Sequence, residues 1–295
     1  MRIVVALGGN ALLDPEAEPE YESQLRNVER TTDQLASLAD DNELVLTHGN
    51  GPQAGNILLQ QEETPPEMPL DVVVAETQGQ IGYMLQRELG ERLDTDPATV
   101  VTQVVVDPDD PAFDDPSKPV GPFYTADEVE GKRGTIKEVG TGEKRYRRVV
   151  PSPEPQGVVE ADAIRRLIEA QAAVIASGGG GIPVTDEGKG VEAVIDKDGA
   201  AALLAEELDA DMLLIVTDVD YAYRDYGTDD EEPLEELTPA EAREIADDGE
   251  FGEGSMAPKV RAAARFADRT GGKAVITSLA NLDAALDGEG TTLRR

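Results

Sequence analysis

Residues 2–13 read Arg-Ile-Val-Val-Ala-Leu-Gly-Gly-Asn-Ala-Leu-Leu. The run Ile3 to Leu7 is short, apolar and rich in β-branched residues, which predicts a buried strand. It stops at Gly8-Gly9-Asn10. A strand tip made of glycines lets backbone approach a ligand closely, because no Cβ intervenes. Such a tip is suited to an anion, although a ligand-free turn has the same composition.

The same pattern recurs downstream. Glu43 to Thr47 predicts a second strand that runs into His48-Gly49-Asn50-Gly51-Pro52. Pro52 fits the first turn of a helix, whose N-terminus would face the Gly-Asn-Gly loop. His48 is either a general base or a locally bonded strand-end residue. A third strand, Val174 to Ala176, leads into Ser177-Gly178-Gly179-Gly180-Gly181. This is not a linker, because Ile182-Pro183-Val184 resumes the apolar pattern at once. Asp196-Lys197-Asp198 opens a helix over 199–208 with an aspartate as cap. Met212 to Val216 is a strand ending in Thr217-Asp218, and Lys273 to Thr277 is the last clear strand.

Helical periodicity lies between these strands, over 22–40, 54–61, 70–93, 158–170, 239–247 and 258–270. Alternation of this kind gives a parallel sheet covered by helices on both faces, with ligands beyond the carboxyl ends of the strands. All the glycine loops fall at those ends. Residues 99–105 predict one further strand, and 107–122, with five prolines among acids, a surface loop. Acids at 229–236 also predict loop. Two short strands near 134–139 and 144–150, joined by Gly140-Thr141-Gly142, interrupt the rhythm. The segment 123–150 that contains them is a basic island that includes Lys132, Lys137, Lys144 and Arg147, expected to act as a lid over an anion or to pair with neighbouring acids.

The net charge of −35 disfavours nucleic acid and anionic membranes as partners. Lysine is scarce, 8 against 18 arginines. An acidic, lysine-poor surface resembles that of halophilic proteins, and a requirement for high salt is expected, since molar salt screens self-repulsion. Cysteine is absent and His48 is the one histidine. Thiolate chemistry and multi-histidine metal sites are therefore excluded, and no metal-ligand set is expected. No apolar run has the ~20 residues of a membrane span and none suits a leader peptide, so a cytoplasmic location is expected.

Neither a G-x-x-x-x-G-K-[ST] loop nor a G-x-G-x-x-G after the first strand is present. Glycine loops, helix N-termini and a few retained lysines suit phosphoryl transfer, which asks mainly for positioning and charge cancellation. The chain resembles the carbamate kinases of the amino acid kinase superfamily. The resemblance rests on Ala6–Leu12, Thr47–Gln53, Gly121–Tyr124, Arg147–Pro153, Ser177–Val184, Val194–Asp198 and Gly254–Lys259, in order along nearly the whole chain.

What it implies is a single domain over 1–295. This would be an open three-layer αβα sandwich with a mainly parallel sheet and a small protruding β subdomain at about 119–150. It also implies a homodimer, Mg2+ with ATP or ADP, and transfer between ATP and carbamate, run toward ATP in arginine fermentation. Gly8, Gly9 and Asn10 would hold the transferred group. Gly49, Asn50, Gly51, Ser177, Gly178 and Gly179 would line the carbamate side. Lys137, Lys197 and Lys259, with Asp198 orienting them, would be catalytic. Asp218, Tyr226, Gly227 and Met256 would meet the nucleotide. The superfamily often has a lysine where this chain has Ala6. Two alternatives are a related kinase with a different carboxylate or phosphate acceptor, and a non-catalytic nucleotide-binding regulator.

Overall fold

The computed structural model describes residues 1–9, 12, 20–39, 41–170, 173–251 and 256–295. Its first strand, Arg2–Leu7, is buried on both faces. Ile3, Val5 and Leu7 enter one core cluster, and Val4 and Ala6 the other. That division is what a period of two produces in a strand sandwiched between helical layers. Met212–Thr217 repeats it, with Leu214 and Val216 on one side and Leu213 and Ile215 on the other.

These strands belong to an eight-stranded sheet. From one edge to the other it runs Glu236–Leu237, Thr291–Leu293, Lys273–Ser278, Met212–Thr217, Arg2–Leu7, Glu43–His48, Val174–Ile175 and Ala98–Thr99. The pairings from Lys273–Ser278 to Ala98–Thr99 are all parallel, and Thr291–Leu293 pairs antiparallel to its neighbour. Helices Tyr21–Ala39 and Leu70–Gly90 cover one face. Helices Ala161–Glu169, Lys197–Glu207 and Met256–Thr270 cover the other. The architecture is the expected αβα sandwich.

In register, Leu7 stands opposite both His48 and Val216. The strand tips are therefore level, and Gly8, Gly49 and Thr217 emerge side by side.

Three stretches differ from expectation. The single strand at 99–105 is two strands, because the chain leaves the large sheet after Thr99 and joins a second sheet at Gln103–Val106. The Gln78 amide holds the crossover, accepting from Thr102 N at 2.7 Å and donating to Thr102 O at 3.1 Å. The loop expected to run through 122 ends earlier, in a strand, Lys118–Tyr124. That strand pairs antiparallel with Tyr146–Val150, which also pairs with Thr135–Glu138. Lys118–Tyr124 is an edge strand, where Pro119 and Pro122 cost no central ladder bond. The acids at 229–236 include short strands, Glu232–Leu234 paired with Ala222–Arg224, and part of Glu236–Leu237. Among the described residues, no helix is long and apolar enough to cross a membrane.

Candidate active site

At the carboxyl edge of the sheet lies a cleft of about 480 Å³. It is lined by the 49–51 loop, Gly179, the start of the helix Lys197–Glu207, Lys259 and, from the three-stranded sheet, Lys118, Gly121 and Arg147. A roomier hollow of about 720 Å³ opens at the opposite edge, beside Met1, Asn42 and Asp211. It gathers neither glycine loops nor paired lysines, so volume does not mark the site; the chemistry does.

The loop at 177–181 is a buried, fixed structure. Ser177 and Gly179 to Gly181 all have positive φ, between 50° and 91°. A Cβ on Gly178 would come within 2.4 Å of His48 Nε2, and one on Gly179 within 2.2 Å of Asn50 Nδ2. Those on Gly180 and Gly181 would strike Ile195 O and Val104 Cγ2 at 2.4 and 2.2 Å. Thr47 Oγ1 donates to Ser177 O, Ser177 N to Thr102 Oγ1, and Gln78 Nε2 to Gly178 O, each at 2.9 Å. Asn50 Nδ2 donates to Thr77 Oγ1 at 2.9 Å. Thr77 and Gln78 are thus the frame on which two glycine loops rest.

Because the Asn50 side chain turns to Thr77, it does not cap the helix Gly51–Glu63. The first-turn N–H groups of that helix, Pro52 having none, stay unspent on any side chain among the described residues, at a cleft lined by Gly51, Ala54 and Gly55. That is an anion-binding arrangement by dipole and by donor. The next helix is different. Asp196 Oδ1 accepts from Asp198 N at 3.0 Å and Gly199 N at 3.3 Å, so its donors are already used.

Asp198 is the centre of charge. It is 4% exposed and bonded by both Lys197 Nζ and, at 3.2 Å, Lys259 Nζ. Burial works to raise its carboxyl, but the two ammonium groups outweigh that and hold it below the usual range. Asp196 Oδ2 similarly holds Lys118 Nζ at 2.9 Å. Arg147 has no carboxylate partner among the described residues. Its Nε and Nη2 both donate to Gly121 O, at 3.0 and 2.7 Å, and its guanidinium lies 4.8 Å from the Phe123 ring centroid.

His48 is 1% exposed, and its Nδ1 donates to Gly49 O at 3.0 Å. Burial lowers its pKa to about 4, with the Lys197 charge adding to the effect against the Gly49 bond. It is therefore neutral near pH 7, a packing partner of Gly178.

The structure brings together Gly49, Asn50, Gly51, Gly179, Lys197, Asp198 and Lys259 in one cleft. Ser177 and Gly178 lie just behind it, fully buried. Gly8 and Gly9 abut the 49–51 loop, since a Cβ on Gly49 would lie 3.3 Å from Gly9 N. The Gly8 N–H, however, is taken by Val216 O at 3.1 Å, so Gly8 offers close approach and no donor. Asn10 lies outside the described residues, as do Gly254 and Ser255.

Lys137 is not at the cleft. It is on the strand Thr135–Glu138, 42% exposed, and paired with Asp115 at 2.7 Å. Lys118, on the strand Lys118–Tyr124, does line the cleft. The sequence signal for Lys118 was lysine scarcity itself, obscured by the surrounding prolines. The four nucleotide residues do not line this cleft either. Asp218 borders a separate hollow with Gly8. Tyr226 is 60% exposed, 5.7 Å from the Tyr223 ring, in the turn with Gly227. Met256 packs against the core.

The model of the amino acid kinase family matches residues 1–278. The chain belongs to the amino acid kinase family. Within the family it is 53% identical to the carbamate kinase of Halobacterium salinarum, with 98% of this chain and 97% of that one aligned. It is 49% identical to the carbamate kinase of Thermococcus kodakarensis over the same shares. A solved structure of Giardia lamblia carbamate kinase bound to AMP-PNP superposes with a TM-score of 0.91, at 41% identity, covering 99% of this chain and 98% of that one. Family membership makes the chain a phosphotransferase, and it accounts for a positively lined cleft in so acidic a protein.

Proposed function

We propose that this amino acid kinase is a carbamate kinase, which moves a phosphoryl group between ATP and carbamate. The observation that carries the reading is the buried Lys197–Asp198–Lys259 cluster facing uncapped helix N–H groups across a cleft. The full-length likeness to carbamate kinases supports it. In the direction of ATP synthesis, an oxygen of the ADP β-phosphate attacks the phosphorus of carbamoyl phosphate. The bond from phosphorus to the carbamate oxygen breaks, and carbamate leaves with that electron pair. Charge on the transferred group peaks between these two oxygens, where Lys197 and Lys259 oppose it.

Asp198 keeps both lysines in place. Without it two buried ammonium groups would repel, whereas with it one carboxylate bridges both and the cluster keeps one positive charge. The 49–51 loop and the following helix N-terminus face carbamate, Lys118 closes on the phosphoryl oxygens from the lid sheet, and Gly8 and Gly9 allow the backbone to approach. The three-stranded sheet over 118–150 acts as the lid, in place of the narrower role given to Lys137. Asp218, Tyr226, Gly227 and Met256 are assigned to the nucleotide side.

Mg2+ neutralises nucleotide phosphates when bound. Among the described residues no group of three His, Cys, Asp or Glu side chains could hold a metal. An ion carried on phosphate with its own waters, the usual Mg2+ habit, needs no such group. A homodimer and a requirement for molar salt are part of the same reading. Sedimentation at molar and at dilute salt tests both.

The decisive assay supplies ADP and carbamoyl phosphate at molar salt and measures ATP. Rapid ATP formation is expected; none, from a folded sample, sinks the proposal.

A further inference from the structure

Four cationic side chains line the cleft: Lys118, Arg147, Lys197 and Lys259. The two carboxylates there, Asp196 and Asp198, hold the three lysines. The cleft therefore keeps two positive charges in excess, in a chain of net charge −35. Arg147 is the cation among these with no acidic partner among the described residues, although 61 acids are available. Most other lid cations are paired: Lys132 with Glu62, Arg133 with Glu67, Lys137 with Asp115 and Arg148 with Glu192.

The fork of Arg147 is held rigidly without being neutralised. Two of its nitrogens bind one carbonyl, Gly121 O, and Phe123 lies against the guanidinium. Gly121 has φ +70°, at the point where the strand Lys118–Tyr124 shifts register against its neighbour. Nη1 makes no hydrogen bond among the described residues. A half-buried, pre-oriented guanidinium without a counterion is matched to a planar or tetrahedral oxyanion.

We infer that Arg147 contacts the reacting oxyanion directly, as a fourth cation that arrives with the lid. The inference rests on the carbamate kinase reading for the ligand, either the phosphoryl group or the carboxylate-like end of carbamate. The rival role is indirect: by fixing Gly121 O, Arg147 would only position Lys118 on the same strand.

The test uses the full chain at molar salt, with R147Q, R147K, K118Q and the double variant R147Q/K118Q. Inorganic phosphate is titrated calorimetrically, and KM for carbamate is measured in the ATP-consuming direction. A loss of roughly 30-fold in phosphate affinity for R147Q, as expected for a charge-assisted bond, assigns the contact to the phosphoryl group. Unchanged phosphate affinity with KM for carbamate raised to a similar degree assigns it to carbamate. The R147Q effect should persist in the K118Q background, and R147K, which keeps the charge but loses the fork, should fall between R147Q and wild type.

Neither quantity moving in R147Q overturns the inference, as does an R147Q effect that vanishes once Lys118 is gone. Should R147Q not fold, R147K decides, and equality with wild type in both measurements refutes the contact. The phosphate arm needs no turnover. A wild-type chain that binds phosphate but makes no ATP therefore defeats the kinase reading separately from this one.

Discussion

The buried glycine loop at 177–181 and the half-buried sheet over 118–150 both border the cleft, and they are built on opposite terms. In the loop, every glycine is dictated by an atom of a neighbour. His48, Asn50, Val104 and Ile195 occupy the spaces where side chains would go. In the sheet, most lid cations pair with carboxylates at the surface, as Lys137 does with Asp115, which is 84% exposed. Surface pairs are worth little and are weakened further by salt. One region sets geometry by exclusion, and the other carries charge, most of it in salt-screened pairs. In the reaction proposed above, the first would be a fixed floor under the reacting group and the second a cationic lid that meets it.

The largest effect should come from the junction of the two. Lys259 is 7% exposed and shares Asp198 with Lys197. Replacing Lys259 with Ala should lower kcat by about 10³-fold, since lost charge stabilisation falls mainly on the transition state. ATP should still bind, as equilibrium dialysis at molar salt would show. Turnover within tenfold of wild type would remove Lys259 from the reaction.

Next is the floor. Gly179→Ala adds a Cβ 2.2 Å from the Asn50 amide at φ +67°, so both backbone and neighbour must yield. A loss of about 3 kcal/mol is expected, the sum of steric and backbone strain. Denaturant titration at molar salt measures it. A change in stability within about 0.5 kcal/mol, as for an ordinary surface substitution, would show that the loop is less fixed than its contacts indicate.

The lid supplies its own contrast. Lys118→Ala should reduce kcat/KM for carbamoyl phosphate by about 10²-fold, because Lys118 lines the cleft. Lys137→Ala should change it by about twofold at most, because its partner is solvent-exposed Asp115. The reverse ranking would restore the role first expected of Lys137.

That exchange shows what the sequence could and could not convey. Strand tips ending in glycine, and the helices between them, are local patterns, and nearly all were legible from periodicity. The two-sided burial of Ile3 to Leu7 follows from an unbroken apolar run. Lys118 was hidden because prolines at 116, 119 and 122 suggest a loop. Only the pairing with Tyr146–Val150 reveals an edge strand that tolerates them. Thr77 and Gln78 were hidden for another reason. Polar residues on a helix are ordinarily solvent-facing, and their role depends on loops 27 to 100 residues away in the chain. Fold was written in spacing along the chain, whereas the support of the site is written in contacts across it.

The smallest effect tests the floor without altering a glycine. His48 has a folded pKa of about 4, against 6.5 for a free histidine side chain. A depressed histidine pKa means the unfolded chain takes up a proton that the folded chain refuses. Its contribution is absent above pH 7 and grows as a cost when pH falls from 6.5 toward 4. Between pH 7 and 5.5 that cost is about 1 kcal/mol. Protonation of the many surface carboxylates acts in the opposite direction by relieving repulsion, and does so equally in a variant lacking the imidazole. The stability of wild type relative to His48→Gln should therefore fall by about 1 kcal/mol over that interval. Parallel pH profiles would mean that His48 is solvated in the folded state and that Gly178 is not packed against a neutral ring.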